Sequence, residues 1–309
     1  MSLKAIIFPG QGAQAVGMGR DLAESMPACR ALYDRASSVL GFDLARVSFE
    51  GPLDQLTKSS NAQPAIFAAS LACYTALTFK KADVSFGMAA GLSSGEWTAL
   101  YVAGVVSFED TLRILEARGR FMQEACEEKS GTMLSLIGLD LAGAQKVAAE
   151  AGVEVANLNS PEQTVLSGSV EGIARAEGLA KPSGAKKAIK LNVAGAFHSS
   201  MMASAAAKLS AVLELISFKK PQFPVLSNVT GKPHGEPDSI RNLMVQQVTS
   251  PVRWVDCVVS MKALGATAYV ECGPGKVLSG LIRRIDKEAI IHNISDLPTV
   301  EGVVSGGAL

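Results

Sequence analysis

The residues best suited to chemistry lie in the segment Met88–Trp97, which contains the pattern Gly91-x-Ser93-x-Gly95. A short apolar run precedes this segment and a stretch compatible with a helix follows it, which is the order of a nucleophile elbow. The glycines allow a tight turn, and a serine at a helix N-terminus lies beside free N–H groups that favour an oxyanion. Ser93 and Glu96 also match a capping box, in which the serine only begins the helix. The pattern alone leaves catalysis and capping both open.

A serine nucleophile needs a base, and the chain contains three histidines. His234 lies in a polar turn, which predicts an exposed side chain, and His292 lies on or beside the last predicted strand. His198 lies where a smaller inserted domain would rejoin the core, and a cleft between domains commonly holds a site. We therefore predict that His198 is the base, with a purely structural histidine as the alternative.

A second glycine-rich turn, Pro9–Gln14, follows the first predicted strand, Lys4–Phe8. Gly10 and Gly12 begin a formal match to a dinucleotide-binding fingerprint. That fold needs a second strand ending in an acid, whereas residues 20–40 predict a helix. We predict instead that the loop directs backbone N–H groups toward a developing negative charge.

The order of predicted elements indicates an α/β protein with a mostly parallel sheet covered by helices on both faces. Within residues 131–193 the order is β-α-β-β-α-β, which is typical of a ferredoxin-like unit. We predict an α/β-hydrolase-like large domain, formed by residues 1–127 and 197–309 and carrying the nucleophile elbow. The inserted ferredoxin-like small domain is residues 128–196. Residues after Pro298 are predicted to form a loose tail.

Composition bounds the class of protein. Hydrophobic residues make up 48% of the chain and the formal net charge is zero, so we expect a compact globular protein with no global attraction to nucleic acid. The five cysteines are scattered and never form a C-x-x-C pair, so neither structural disulfides nor a zinc site is expected. The longest apolar stretch, Pro64–Phe79, predicts a buried helix instead of a membrane span. We expect a cytoplasmic protein with no metal and no membrane association.

Separated motifs occur together in an order that resembles a known family. The chain is similar to malonyl-CoA:acyl carrier protein transacylases of dissociated fatty acid synthesis and to the related acyltransferase domains of polyketide synthases. The resemblance covers approximately residues 8–278. The segments that carry it are Phe8–Gln14, Gly91–Glu96, Arg118–Gln123, Ala196–Ser199, Ser250–Trp254 and Gly273–Leu278.

The resemblance implies a role for each matching residue. Ser93 matches the nucleophile that takes the acyl group as an ester. His198 matches the base that activates this serine and then protonates the leaving thiol. The main-chain carbonyl of Gln247 matches the group that orients the imidazole. The backbone N–H groups of Gln11 and Ser94 match the oxyanion hole.

Arg118 matches the arginine that binds the free carboxylate of malonate. Malonyl differs from acetyl by one carboxylate, and a planar guanidinium can bind it through two parallel hydrogen bonds. Without the resemblance, Arg118 would be a surface charge on a helix, paired with Glu116 or Glu124. Phe197 resembles the malonyl-selecting pattern of polyketide acyltransferases, in which a bulky side chain crowds an α-methyl group.

The chain departs from the family at one position, because Leu92 stands where most members carry a histidine before the nucleophile. A leucine side chain forms no hydrogen bond there. The nucleophile, the base and the oxyanion donors do not depend on that position, so the departure concerns turnover and substrate selectivity.

The resemblance implies ping-pong transfer of malonyl from coenzyme A to the phosphopantetheine thiol of holo acyl carrier protein, with no permanently bound cofactor. We expect the protein to be a monomer. The alternatives are a serine hydrolase or thioesterase on the same site, an acyltransferase serving a polyketide synthase, and a non-catalytic carrier-protein binder. An acidic carrier protein would dock on basic residues near the mouth of the site, unless these form an ordinary solvated face. The candidates are Lys186, Lys187, Lys190, Arg283 and Arg284.

Overall fold

The computed structural model describes residues 3–307, so the residues 1, 2, 308 and 309 of the predicted large domain lie outside the described residues. The strands are β1 (Leu3–Phe8), β2 (Met88–Gly91), β3 (Gly131–Ile137), β4 (Glu154–Ser160), β5 (Gln163–Ser169), β6 (Lys187–Lys190), β7 (Ala266–Cys272) and β8 (Ile290–Ile294). The helices that precede β3 are α1 (Arg20–Ser25), α2 (Pro27–Leu40), α3 (Leu44–Glu50), α4 (Leu53–Thr57), α5 (Ser59–Lys80), α6 (Gly95–Val102) and α7 (Phe108–Glu128). The later helices are α8 (Leu141–Ala151), α9 (Val170–Ala180), α10 (Ala203–Glu214), α11 (Pro237–Gln246), α12 (Trp254–Ala263), α13 (Val277–Ile285) and α14 (Leu297–Ser305).

The larger sheet is parallel, with the strand order β2-β1-β7-β8. Strand β1, one of its two inner strands, is apolar from Ala5 to Phe8, because helices cover both faces of the sheet there. Ala5 and Ile7 pack into a cluster with helices α12 and α13, whereas Ile6 and Phe8 pack into the main core with α5 and α7. This arrangement confirms the prediction of an α/β protein with a mostly parallel sheet.

Helix α5 runs through the main core. It is long and apolar enough to cross a membrane by length and composition alone, but 78% of its most apolar window is buried inside the protein. The burial agrees with the prediction of a core helix over Pro64–Phe79. At the start of this helix, a Cβ on Gly119 of α7 would overlap the backbone of Ser59, so α5 and α7 approach closely at that point.

The second sheet is antiparallel, with the order β4-β5-β3-β6. The elements β3 to β6 follow the predicted β-α-β-β-α-β order, with α8 and α9 as the two helices. One face of the sheet packs on these helices through residues such as Leu134 and Leu166. The opposite face contributes Met133, Ala156 and Val165 to the main core, which joins the two sheets.

Three predicted elements differ from the structure. The helix predicted over residues 20–40 is two helices, because Met26 precedes Pro27 and adopts an extended conformation that ends α1. The strand predicted over residues 224–229 is reduced to isolated bridges from Val225 and Leu226. The loose tail is wrong as well, because the residues after Asp296 form α14.

Helix α14 is fixed at its start and along one face. Asp296 and Thr299 form a reciprocal capping box, and Leu297 N donates to the Asp21 carboxylate at 2.6 Å. Val300 is fully buried in the main core. These contacts explain why the C-terminal segment forms a helix although it is short and rich in small residues.

Candidate active site

The turn between β2 and α6 has the geometry of a nucleophile elbow. Ser93 has a φ of 55°, a left-handed conformation that is uncommon for a residue with a side chain. A Cβ on Gly91 would overlap the backbone of Gly95, and a Cβ on Gly95 would overlap the carbonyl of Phe8. The two glycines are therefore required by close packing. The N-cap of α6 is Ser94, which makes no side-chain capping bond, so the capping interpretation of Ser93 is wrong.

His198 lies against the serine hydroxyl. Its Nε2 is 2.8 Å from Ser93 Oγ, and its Nδ1 is 2.8 Å from the main-chain carbonyl oxygen of Gln247. A carbonyl only accepts, so the Nδ1 position carries the proton and Nε2 is free to accept the serine hydroxyl. Burial and the nearby Arg118 charge lower the pKa of His198 to about 4. The imidazole is therefore neutral near pH 7, as a general base must be.

Arg118 is 1% exposed and lies beside the same hydroxyl. Its Nη2 donates to Ser93 Oγ at 3.1 Å and to Gln247 Oε1 at 2.9 Å, and its Nη1 donates to Gln63 Oε1 at 2.8 Å. Burial lowers the pKa of Arg118 to about 10, and the Glu96 charge opposes that shift. The guanidinium is therefore a charged group at the bottom of the site.

The surface interpretation of Arg118 is wrong. Its helix neighbour Arg120 pairs with Glu116 and Glu124 instead, at 3.1 Å and 3.5 Å. A side chain two positions away along a helix points to a different face. The close approach of α5 and α7 at Gly119 places Arg118 next to Gln63.

The Pro9–Gln14 loop lies directly on the elbow, because a Cβ on Gly10 would overlap the Leu92 carbonyl. Within residues 3–307, the backbone N–H groups of Gln11 and Ser94 have no acceptor. The Gln11 side chain donates to Ser59 Oγ at 2.9 Å, which fixes the loop to α5. Two free N–H groups beside a serine hydroxyl can stabilise an oxyanion.

A cleft of about 460 Å³ opens above these groups, between the two sheets. Met133 and Val165 of the antiparallel sheet form one side. Phe197, which is 7% exposed, and the half-buried Leu92 also line it. A neighbouring cleft of about 380 Å³ shares several lining residues with the first and extends it toward the antiparallel sheet and α13. The shared residues are Gln11, Gly12, Leu92, Asn159, Val165, Leu191, Asn192 and Val193.

Several residues of the site are missed by sequence reasoning. His234, predicted to be exposed, has a fully buried side chain, and its Nε2 lies 2.6 Å from Glu96 Oε1. Asn228 accepts from Ser93 N at 2.7 Å and donates to the Gly91 carbonyl, so it holds both ends of the elbow. Glu96, one residue after Gly95 of the elbow, is the sequence signal for these contacts, because a carboxylate so close to a buried turn needs hydrogen-bond donors.

The structure brings together three of the five basic residues predicted for docking. Lys186, Lys187 and Arg284 line one exposed groove, and Arg284 Nη1 donates to Gln163 Oε1 at 2.6 Å. Gln163 also lines the second cleft. Lys190 and Arg283 are exposed but do not line this groove. Across residues 3–307, no cluster of three or more His, Cys, Asp or Glu side chains could hold a metal ion.

The fold and the serine–histidine site define a class of acyl-transferring enzyme. Residues 5–300 match the model of the acyl transferase domain family.

Within that class the chain belongs to the malonyl CoA-acyl carrier protein transacylase family. It is 40% identical over 306 residues to the enzyme of that name from Bacillus subtilis, covering 97% of this chain and 96% of the relative. It is 42% identical over 289 residues to the Escherichia coli K12 enzyme, covering 92% and 93%.

Solved structures agree with this family. An acyl carrier protein S-malonyltransferase from Vibrio cholerae has a TM-score of 0.94 at 38% identity, covering 98% of this chain and 100% of the other. A malonyl-transacylase solved in complex with its type II polyketide synthase acyl-carrier protein has a TM-score of 0.95 at 38% identity, covering 99% and 100%.

The lowered pKa of His198 predicts an unusual pH profile. Protonation blocks the base, so kcat/KM for acylation should stay level from about pH 8 to about pH 5 and fall only toward pH 4. Removing a neighbouring positive charge raises the pKa of a histidine, so Arg118→Ala should move the acid limb to higher pH with acetyl-CoA. Initial rates of acyl-enzyme formation measure both profiles. An acid limb of the parent centred near 6.5 would contradict the prediction.

Proposed function

We propose that the chain transfers a malonyl group from coenzyme A, through an ester on Ser93, to the phosphopantetheine thiol of an acyl carrier protein. The observation that carries this proposal is the buried guanidinium of Arg118, 3.1 Å from Ser93 Oγ. A malonyl thioester has a carboxylate two bonds from the carbonyl that the serine attacks. A buried cation beside the nucleophile suits such an acyl group and has no partner in acetyl.

The hydrogen bonds of Arg118 support carboxylate binding. Its Nε–H is buried and has no acceptor within the part of the chain that the structure describes. Nη2 donates to Ser93 Oγ, a contact that an incoming carboxylate can replace. We assign the Nε–H and the Nη2–H that now meets Ser93 Oγ to the malonyl carboxylate, in the bidentate arrangement that distinguishes arginine from lysine.

In the first half-reaction Ser93 Oγ attacks the thioester carbonyl carbon while its proton passes to His198 Nε2. The carbonyl oxygen becomes an oxyanion held by the N–H groups of Gln11 and Ser94. The C–S bond then breaks, and the imidazolium gives its proton to the departing thiolate of coenzyme A. The Gln247 carbonyl accepts the Nδ1–H throughout and so stabilises the imidazolium.

In the second half-reaction the thiol of the carrier protein enters the same cleft. His198 takes the thiol proton, and the sulfur attacks the ester carbonyl on Ser93. The C–O bond breaks and the proton returns to Ser93 Oγ, so the enzyme is regenerated. Coenzyme A and the carrier present the same phosphopantetheine arm, so we assign the two adjoining clefts to its path toward Ser93.

Two side chains bear on which acyl group is accepted. We assign Phe197, beside the base, to crowding an α-methyl substituent, in keeping with its burial in the cleft wall. Leu92 lines both clefts and supplies an apolar surface in place of a polar ring. It therefore bears on selectivity and turnover, not on the nucleophile itself.

The proposal extends to domain organisation. Residues 1–127 and 197–309 form an α/β-hydrolase-like catalytic domain, and residues 128–196 form a ferredoxin-like insertion. The observed order of the antiparallel sheet supports the second assignment. We also propose a cytoplasmic monomer without a permanently bound cofactor; its five cysteines are free and buried, which fits a reducing compartment.

A polyketide pathway is the second candidate for the carrier protein. The similarity to a malonyl-transacylase in complex with a type II polyketide synthase acyl-carrier protein favours it. The chemistry at Ser93 is the same in either pathway, so the carrier that gives the higher kcat/KM decides between them.

Ser93→Ala should abolish the malonyl adduct, because His198 is hydrogen-bonded to Ser93 Oγ, whereas the neighbouring Ser94 hydroxyl is buried and has no hydrogen-bond partner among residues 3–307. Intact mass after treatment with malonyl-CoA detects the adduct on the parent, and holo carrier protein should then discharge it much faster than water does. Ser167→Ala is the matched control, since Ser167 is a fully buried serine that lines neither cleft and whose hydroxyl has no partner in the described part of the chain. An adduct on Ser93→Ala would refute the nucleophile, and discharge to water alone would indicate a hydrolase.

Arg118→Ala should invert the preference between acyl groups. Losing one partner of a buried charge pair costs about 2–5 kcal/mol, on the order of 30- to 5,000-fold in kcat/KM for malonyl-CoA. Acetyl-CoA lacks the carboxylate, so its kcat/KM should be unchanged or higher, and Arg118→Lys should recover only part of the malonyl activity. Arg120→Ala, an exposed arginine on the same helix, should keep the parent preference. Equal losses for both thioesters would remove Arg118 from substrate recognition.

Charge reversal at the basic groove should weaken carrier docking. We place the acidic carrier on Lys186, Lys187 and Arg284, because Gln163 connects this groove to the cleft system that ends at Ser93. The double variant Lys187→Glu/Arg284→Glu should raise KM for the carrier, more at low salt, and leave self-acylation unchanged. Lys146→Glu, on the outer helix α8, is the control. The same KM as the parent at low salt would reject this groove.

A further inference from the structure

The guanidinium of Arg118 is a buried cation that forms no hydrogen bond to an acid within residues 3–307. Its acceptors are two amide oxygens and one hydroxyl, of Gln63, Gln247 and Ser93. Among residues 3–307, no Asp or Glu side chain forms an ion pair with it. Burying an isolated charge is costly, so the protein must provide compensating charge nearby.

Glu96 is the complementary case, a carboxylate that is 1% exposed and meets no lysine or arginine within the described chain. It accepts hydrogen bonds from Gln247 Nε2 at 2.6 Å, from Asn228 N at 3.1 Å and from His234 Nε2 at 2.6 Å. It lies in the first turn of α6, three residues after the nucleophile. Its position places a buried negative charge behind the elbow.

The side-chain amide of Gln247 connects the two charges. Its oxygen accepts from Arg118, and its nitrogen donates to Glu96 and to the Ser93 carbonyl at 3.0 Å. The acceptor end of the amide therefore faces the cation and the donor end faces the anion. Hydrogen bonds in such a chain polarise one another, which strengthens both.

His234 contacts only one oxygen of Glu96. Its Nε2 lies 2.6 Å from Oε1, whereas Asn228 N and Gln247 Nε2 both donate to Oε2. The histidine therefore leaves the oxygen that faces Gln247 available to the amide.

We propose that Glu96 is a positioning residue for malonyl recognition, which supplies the counter-charge of Arg118 through the Gln247 amide. A carboxylate in direct contact with the guanidinium would occupy the donors that the substrate needs. At one amide's distance, Glu96 holds the cation in place and leaves its Nε edge free. This inference rests on the proposed malonyl transfer and adds a residue that acts through another.

Glu96→Gln tests the proposal by removing the charge and keeping the volume. The amide oxygen can take the place of Glu96 Oε2, which accepts from both Asn228 N and Gln247 Nε2, and the amide nitrogen then faces His234 Nε2, which accepts in the other ring tautomer. The Gln247 amide thus keeps its acceptor, and the change removes only the negative charge that faces Arg118. We expect the ratio of kcat/KM for malonyl-CoA to that for acetyl-CoA to fall about tenfold or more. Loss of fold would lower both rates together and leave this ratio unchanged.

Glu271→Gln is the matched control. Glu271 is also fully buried and accepts from Leu278 N at 3.1 Å and from Ser279 N at 2.8 Å, so it caps α13 without touching Arg118 or Gln247. Its variant should lose stability but keep the parent ratio. A Glu96→Gln ratio equal to that of the parent overturns the positioning role while the malonyl transfer stands. A parent that does not use malonyl-CoA overturns both.

Gln247→Met decides the matter if Glu96→Gln does not fold. It removes the connecting amide and keeps the main-chain carbonyl that accepts from His198. The malonyl-to-acetyl ratio should fall at least as far as in Glu96→Gln, and the loss in the double variant should be smaller than the two single losses combined, because the acid and the amide act on the same guanidinium. A ratio equal to that of the parent in Gln247→Met overturns the proposal.

Discussion

The hydrogen bonds of Gln247 are the junction on which the site depends. Its main-chain carbonyl accepts from His198, its amide oxygen accepts from Arg118, and its amide nitrogen donates to Glu96 and to the Ser93 carbonyl. The residue lies in a short 3₁₀ turn, Gln247–Thr249, and is 1% exposed. In a region from which water is excluded, each of these bonds is stronger than in solvent and each unpaired group is more costly. Gln247 therefore positions the base His198, the nucleophile Ser93 and the cation Arg118 through its own hydrogen bonds.

Features that depend on local pattern could be predicted from the sequence. The parallel strands follow from short apolar runs between helices, and the elbow follows from Gly91, Ser93 and Gly95, whose spacing reflects backbone contacts. The β-α-β-β-α-β order of the antiparallel sheet region could be predicted because glycine and proline residues separate its predicted strands and helices. The capping pair Asp296 and Thr299 is also a local signal, which marks the start of α14 in the sequence.

Features that depend on distant contacts could not be predicted from the residues alone. His234 lies in a polar turn, and only its contact with Glu96, 138 positions away in sequence, accounts for its burial. The burial of Arg118 depends on where α5 crosses α7, which no pattern within α7 specifies. For this reason a resemblance to known proteins, and not periodicity, gave the expected role of Arg118 and of the Gln11 N–H.

The wide separation of the interacting residues has a consequence for synthesis of the chain. Ser93 bonds to Asn228 and to Gln247, which follow it by 135 and 154 positions, and to His198, which follows it by 105. A chain emerging from the ribosome presents the serine long before these partners, because synthesis proceeds from the N-terminus. The hydroxyl of an incomplete chain is then an ordinary alcohol with no base beside it. Coenzyme A thioesters in the cell are thus protected from unfinished molecules, and reactivity begins only when the last third of the chain has folded over the elbow.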